Sequence, residues 1–158
     1  MKKIAVTILA LLLLLCACGE PTGGQSTNVG NTNPGTDTSP SDIVIYEKEG
    51  LSISFKSFKD APAPAIGFYV ELHIENTTET DYTVQVQDVS ANDIVVPFAN
   101  VIFSPKVLAG KSVNDRIWIT NTEKLGIESP LTKVELRFAI YKGDDLGNPS
   151  LSDAITIE

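Results

Sequence analysis

The chain has 158 residues, with 20 acidic and 12 basic side chains and a formal net charge of −8 at pH 7. That balance argues against a nucleic-acid partner, whose phosphates need a basic footprint. Two cysteines, one histidine and one tryptophan leave little from which to build a metal centre or a nucleophilic site.

Lys2 and Lys3 precede an apolar run from Ile4 to Cys18. As a helix, about 15 such residues would span roughly 22 Å. A bilayer core of about 30 Å needs about 20, so the run suits the apolar region of a signal peptide better than a permanent span. It closes in "LLLLLCACGE", residues 11–20. Leu15-Cys16-Ala17-Cys18 resembles the bacterial lipobox: a leucine, a spacer, a small residue and then the cysteine. The resemblance implies diacylglyceryl transfer to the Cys18 thiol and cleavage just before it, making residues 1–17 the signal peptide. Modification of Cys16 instead would put Leu15 where a small residue is expected. A Cys-x-Cys pair is too tight for an unstrained disulfide, and with no histidine nearby it makes a poor zinc site. One acyl chain binds a membrane marginally, whereas two anchor it durably. Gly19 fits surface display. The expected location is the extracellular face of the cell membrane, lipid-anchored, with the membrane held through diacylglyceryl-Cys18.

Loss of Lys2 and Lys3 with the signal leaves 10 basic and 20 acidic side chains, a mature charge of −10. This disfavours a second, electrostatic attachment to anionic lipid. After the cysteine, "GEPTGGQSTNVGNTNPGTDTSPS" (19–41) is almost without apolar side chains and cannot offset its own ordering entropy. Residues 18–41 therefore read as the lipidated cysteine and a flexible stalk. About 23 such residues have an end-to-end distance of roughly 26 Å and reach about 75 Å at full extension.

Residues 42–158 have the length of one domain with one core. Alternation of apolar and polar residues, the mark of a half-buried strand, recurs along it. Strands are expected at Ile43–Glu47 and Leu51–Lys59, followed by an extended loop in "DAPAPA" (60–65). In "IGFYVELHIE", Ile66, Phe68, Val70, Leu72 and Ile74 alternate with Tyr69, Glu71, His73 and Glu75. "NTTETD" (76–81) then reads as a hairpin loop. In "YTVQVQDV", Tyr82, Val84 and Val86 share a face, and short strands are expected near Ile94–Val96 and Val101–Phe103. "LAGKS" (108–112) supplies Gly110 for a tight turn. In "SVNDRIWIT", Val113, Ile117 and Ile119 share a face interrupted by Asp115. "NTEKLGI" (121–127) reads as one helical turn, capped by Asn121 or Thr122 and ended at Gly126. In "KVELRFAIY", Val134, Leu136, Phe138 and Ile140 oppose Glu135, Arg137 and Tyr141, and a last strand runs from Ser152 to Ile157. The expected fold is all-β: two antiparallel sheets packed face to face, about 7–9 strands by this pattern. The domain has no cysteine, so its core must hold by apolar burial alone.

"ENTTETDYTVQVQDVSANDIVV", "FSPKVLAGKSVNDRIWI" and "KVELRFAIY" resemble a domain common in secreted lipoproteins of low-GC Gram-positive bacteria. The resemblance covers roughly residues 51–157 and implies an immunoglobulin-like, telokin-like β-sandwich of uncharacterised function. Its motifs are structural, so no catalytic residue is carried over. This chain has Asn92-Asp93 where relatives often have Asn-Gly, the usual pair for a type I′ turn.

No residue set demands catalysis, and no cofactor is expected. A catalytic triad would need His73 beside a serine and an orienting acid. Glu71, His73 and Glu75 lie on one strand face, but alternate residues stand about 6.6 Å apart, wide for one metal. "KGDDLGNPS" (142–150) offers Asp144, Asp145 and Asn148 without the spacing of an EF-hand loop. No metal site is assigned from either.

The candidate binding face is built on Trp118. Alternation places it opposite Ile117 and Ile119. In immunoglobulin order the 66–75 strand neighbours the 112–120 strand, so Tyr69 and His73 would share that face, and Arg116 would pair with Glu71 or Glu75. Either this cluster is open, as binding anchors are, or a loop or the 42–47 segment covers it. The expected function is a lipid-anchored extracellular binding module without catalysis, taking an extracellular protein or envelope component. The alternative is a structural or accessory subunit of an envelope complex that docks by a sheet edge.

Overall fold

Each long alternating segment forms a strand. The computed structural model describes residues 42–158; the expected signal peptide, Cys18 and the stalk lie outside the described residues. In chain order the strands are β1 (Ile43–Lys48), β2 (Leu51–Asp60), β3 (Gly67–Asn76), β4 (Tyr82–Ala91), β5 (Ile94–Val95), β6 (Val101–Ile102), β7 (Lys106–Val107), β8 (Ser112–Thr120), β9 (Val134–Lys142), β10 (Ser150–Leu151) and β11 (Ile155–Ile157). A 3-10 turn spans Phe98–Asn100, and a single helical turn, α1, spans Thr122–Leu125. One antiparallel sheet has the order β1-β2-β3-β8-β6. The other has β10-β9-β4-β5, with β11 also on β9 and β7 on β4.

The two sheets form an all-β sandwich whose core is fed from both. Phe68, Val70, Leu72, Ile74, Ile117 and Ile119 come from the first sheet; Val84, Val86, Leu136, Phe138 and Ile140 come from the second. Each such side chain contributes about 1.5–3 kcal/mol by leaving water. Tyr46 reaches across to meet Phe138 edge-on, with ring centroids 6.0 Å apart.

The eleven strands among the described residues exceed the expected number because two-residue pairings at β7 and β10 carry no alternation to read. The expected last strand is shorter than its sequence: Ser152 and Asp153 lie outside β11, and the Ser152 hydroxyl accepts from the Phe138 backbone N–H at 2.9 Å. Ile66 precedes β3 and is exposed, so the inward series starts at Phe68.

Two strands change phase midway. In β2 the inward residues are Leu51, Ile53 and Phe55, then Phe58; the register slips between Phe55 and Ser57 and leaves Lys56 exposed. In β4 they are Tyr82, Val84 and Val86, then Val89 and Ala91. The slip lies between Gln87 and Ser90, where Asp88 takes φ 52°. A β-bulge inserts one residue and so lets a strand keep its apolar side chains inward on both sides of the irregularity.

The 77–81 segment is not a hairpin loop. It joins β3 in one sheet to β4 in the other. Alternation looks the same on either side of a hairpin or a crossover, and the tie that makes this one a crossover is long-range. Asn76, 1 % exposed, donates through Nδ2 to the carbonyls of Thr80, Val107 and Leu108 at 2.8, 3.2 and 3.1 Å. Its Oδ1 accepts from the Thr78 N–H and hydroxyl. The 108–111 turn, also a crossover, rests on the same loop: Gly110 N–H donates to Thr78 O, and Ala109 N–H to the Asp81 carboxylate, both at 2.9 Å.

The β4–β5 connection is a two-residue hairpin with Asn92 and Asp93 at φ 47° and 64°. Positive φ at both positions is the type I′ pattern, reached here without glycine. Asn92 also secures its neighbours, donating to the Glu128 and Pro130 carbonyls and accepting from Thr132 and Lys133. At α1, neither expected side-chain cap forms. Asn121 occupies the left-handed region (φ 56°) and makes no side-chain capping bond, while Thr122 is buried as the first helical residue. The expected stop holds: Gly126, at φ 74°, closes the turn.

Candidate functional site

Strands β3 and β8 lie side by side at the middle of their sheet. Their antiparallel register sets Tyr69 opposite Trp118, Glu71 opposite Arg116 and His73 opposite Asn114. Because Phe68, Val70 and Leu72 point into the core, strand alternation turns these three pairs to the outer face.

The Tyr69 and Trp118 rings stand 4.9 Å apart between centroids, tilted by 42°. The Arg116 guanidinium lies over the Tyr69 ring at 4.8 Å, a cation–π distance. It also pairs with Glu71, Nε to Oε1, at 3.3 Å. The other Glu71 oxygen accepts from the Ser57 hydroxyl at 2.9 Å. His73 Nδ1 and Asn114 Oδ1 are 2.9 Å apart, which makes Nδ1 the donor.

Trp118 is half-buried. Segment 42–47 does not cover it, since β2 and β3 separate β1 from β8. Its neighbours on the face are Tyr69 on one side and Ile102 of β6, 62 % exposed, on the other. Beside it lies a shallow depression of about 490 Å³ lined by Lys56, Glu71, Asn114, Asp115, Arg116 and Trp118, among others. The expected residues Trp118, Tyr69, Arg116 and His73 thus come to one face. Tyr69 and His73 flank the depression rather than line it.

Sequence reasoning missed Lys56, Ser57, Asn114 and Ile102. Lys56 reaches this position through the bulge, for which the only signal was the phase change between Phe55 and Phe58. Ile102 arrives by the β6–β8 pairing. It belongs to an apolar run, residues 94–103, that also exposes Val95 and Phe98 at 77 % each.

The alternating trio Glu71, His73 and Glu75 does not converge: Glu71 turns to Arg116 and Ser57, and His73 to Asn114. In the 142–150 loop, Asp144 pairs with Lys106 at 3.1 Å and Asp145 accepts from the Gly147 N–H. Lys106 also meets Asp81 at 3.2 Å. The backbone N–H of Ala109, and then Lys106, hold the Asp81 carboxyl below the usual carboxylate range. Asp144, and then Asp81, raise the Lys106 ammonium above its usual value. These acids tie loops together at the end of the sandwich.

No family model matches the chain, and no curated protein matches it.

Proposed function

We propose that the protein is a binding module displayed on the extracellular face of the cell membrane, tethered through diacylglyceryl-Cys18 and without catalytic activity of its own. The observation that carries the reading is the Trp118–Tyr69–Arg116 cluster on an outer sheet face. Trp, Tyr and Arg are the side chains most enriched at binding hot spots. The ring contact between Tyr69 and Trp118, the Arg116 guanidinium over Tyr69 and the Arg116–Glu71 ion pair order these three before any partner arrives, which reduces the ordering entropy lost on binding. The lipobox-like Leu15-Cys16-Ala17-Cys18 and the polar 19–41 segment support the tether. The resemblance to telokin-like domains of Gram-positive surface lipoproteins is consistent with it. The partner is an extracellular protein or an envelope component.

The test uses the full-length chain as bait against solubilised envelope. Material retained by the native bait is expected to be lost with Trp118→Ala; equal retention by both baits would remove the site from this face. In cells fed a radiolabelled fatty acid, Cys18→Ser is expected to lose the label and Cys16→Ser to keep it. Label on Cys18→Ser would refute the tether.

A further inference from the structure

We propose that the outer face of β3 and β8 takes an uncharged linear oligosaccharide laid along β8. The inference rests on the binding reading above and narrows it to a ligand class.

A pyranose ring presents a face of C–H groups and a rim of hydroxyls. The C–H face stacks on an aromatic ring through dispersion and weak C–H contacts to the π-face. Trp118, flanked by Tyr69 and Ile102, is such a platform. The rim needs donors and acceptors together, since each hydroxyl is both. The side chains beyond Trp118 supply them in fixed positions. Glu71 is held by Arg116 and Ser57, and Asn114 by His73. The bond from His73 Nδ1 to Asn114 Oδ1 leaves the Asn114 amide N–H groups and His73 Nε2 without a side-chain partner among the described residues.

Charge selects against an anionic ligand. Arg116 is matched by Glu71 at 3.3 Å, and Lys56 by Asp42 at 3.7 Å. Asp115, which lines the depression, has no cationic partner among the described residues; its Oδ1 accepts from the Arg116 N–H. Length selects for a chain rather than a single sugar. Trp118, Arg116 and Asn114 are alternate residues of one strand and span about 13 Å. A protein partner fits less well, because apart from Trp118, Tyr69 and the neighbouring Ile102 of β6 the face of β3 and β8 consists of glycine, serine, threonine, glutamate, asparagine, histidine and arginine.

The experiment titrates the full-length protein, in a detergent without a sugar headgroup, with two uncharged hexasaccharides, β-1,4-linked glucose and β-1,4-linked N-acetylglucosamine. Polygalacturonate is the anionic counterpart. Trp118 is the only tryptophan, so its emission reports contact, and calorimetry follows the variants. The expected result is saturable binding of at least one neutral hexamer. Trp118→Ala and Tyr69→Ala should each weaken it by about tenfold or more. Asn114→Ala, at an exposed position, should weaken it while leaving the unfolding temperature unchanged. No binding of either neutral hexamer up to about 10 mM, binding indifferent to all three substitutions, or preference for polygalacturonate would each overturn the proposal. If the hexamers fail while Trp118-dependent retention of an envelope protein persists, the ligand class is wrong and the binding reading stands. If that retention is absent too, both fall.

Discussion

Gly67 has no room for a methyl group. It sits at φ 143°, and a Cβ built there would lie 2.1 Å from the Ile119 carbonyl oxygen of β8. The positive φ aims the absent side chain at the β8 backbone, two residues before the Tyr69–Trp118 pair. Gly110, at φ 64°, faces open space. Gly67→Ala is therefore expected to cost more than about 3 kcal/mol, from clash and backbone strain together, and Gly110→Ala only about 1–2 kcal/mol. Urea denaturation of the two variants checks the contrast; equal costs would contradict the register. Asp81 carries a pH signature. Its folded pKa lies below the value of about 3.9 expected for the unfolded chain, with the Ala109 N–H as the main cause and Lys106 second. The stability this adds is present above pH ~4 and is lost as pH falls through the depressed folded value. Asp81→Asn should therefore be less stable than the native chain near neutrality and lose less of its remaining stability on acidification, as followed by thermal unfolding between about pH 5 and pH 2. At this scale the sequence revealed Trp118, Tyr69 and Arg116, because alternation and one assumed strand neighbour fix their face. It did not reveal Asn76, whose importance depends on carbonyls of Val107 and Leu108 that no local pattern brings near.

The bulges show what a strand pattern carries. Deleting Lys56 turns β2 into Leu-Ser-Ile-Ser-Phe-Ser-Phe, an unbroken alternation, whereas deleting Ser54 drives Lys56 toward the core. The first deletion is expected to keep the fold at a cost of about 1–2 kcal/mol. The second should unfold it or cost more than about 3 kcal/mol, because a charge would be buried. Circular dichroism and chemical denaturation separate the two, and a Ser54 deletion as stable as the Lys56 deletion would refute the bulge. The phase changes were present in the residues all along: Phe55 to Phe58, and Val86 to Val89. The hairpin expected at 76–81 failed for a different reason. The loop's composition fits a reversal of direction, and only the sheet order distinguishes a turn within a sheet from a passage between sheets. The type I′ turn at Asn92-Asp93 formed despite lacking glycine, helped by the bonds Asn92 makes to residues 128–133.

For the molecule as a whole, the all-β sandwich was legible because five long segments each have one apolar and one polar face, and two stacked sheets bury every apolar face at once. The two-residue strands β7 and β10 were not, since a pair of residues has no period, whereas β5 and β6 were expected from their short apolar stretches. Residues 42–158 carry 18 acidic and 10 basic side chains, and most of their large apolar side chains turn inward, with Val95, Phe98 and Ile102 among the exceptions. What remains distinctive on the outer sheet is the aromatic and arginine cluster. The most direct test is acrylamide quenching of the single tryptophan in the full-length protein, with and without solubilised cell envelope. If Trp118 anchors the partner, added envelope will lower the quenching constant saturably, and Tyr69→Ala will weaken that protection. Quenching unchanged by envelope that the same bait demonstrably retains would place the binding surface elsewhere on the molecule.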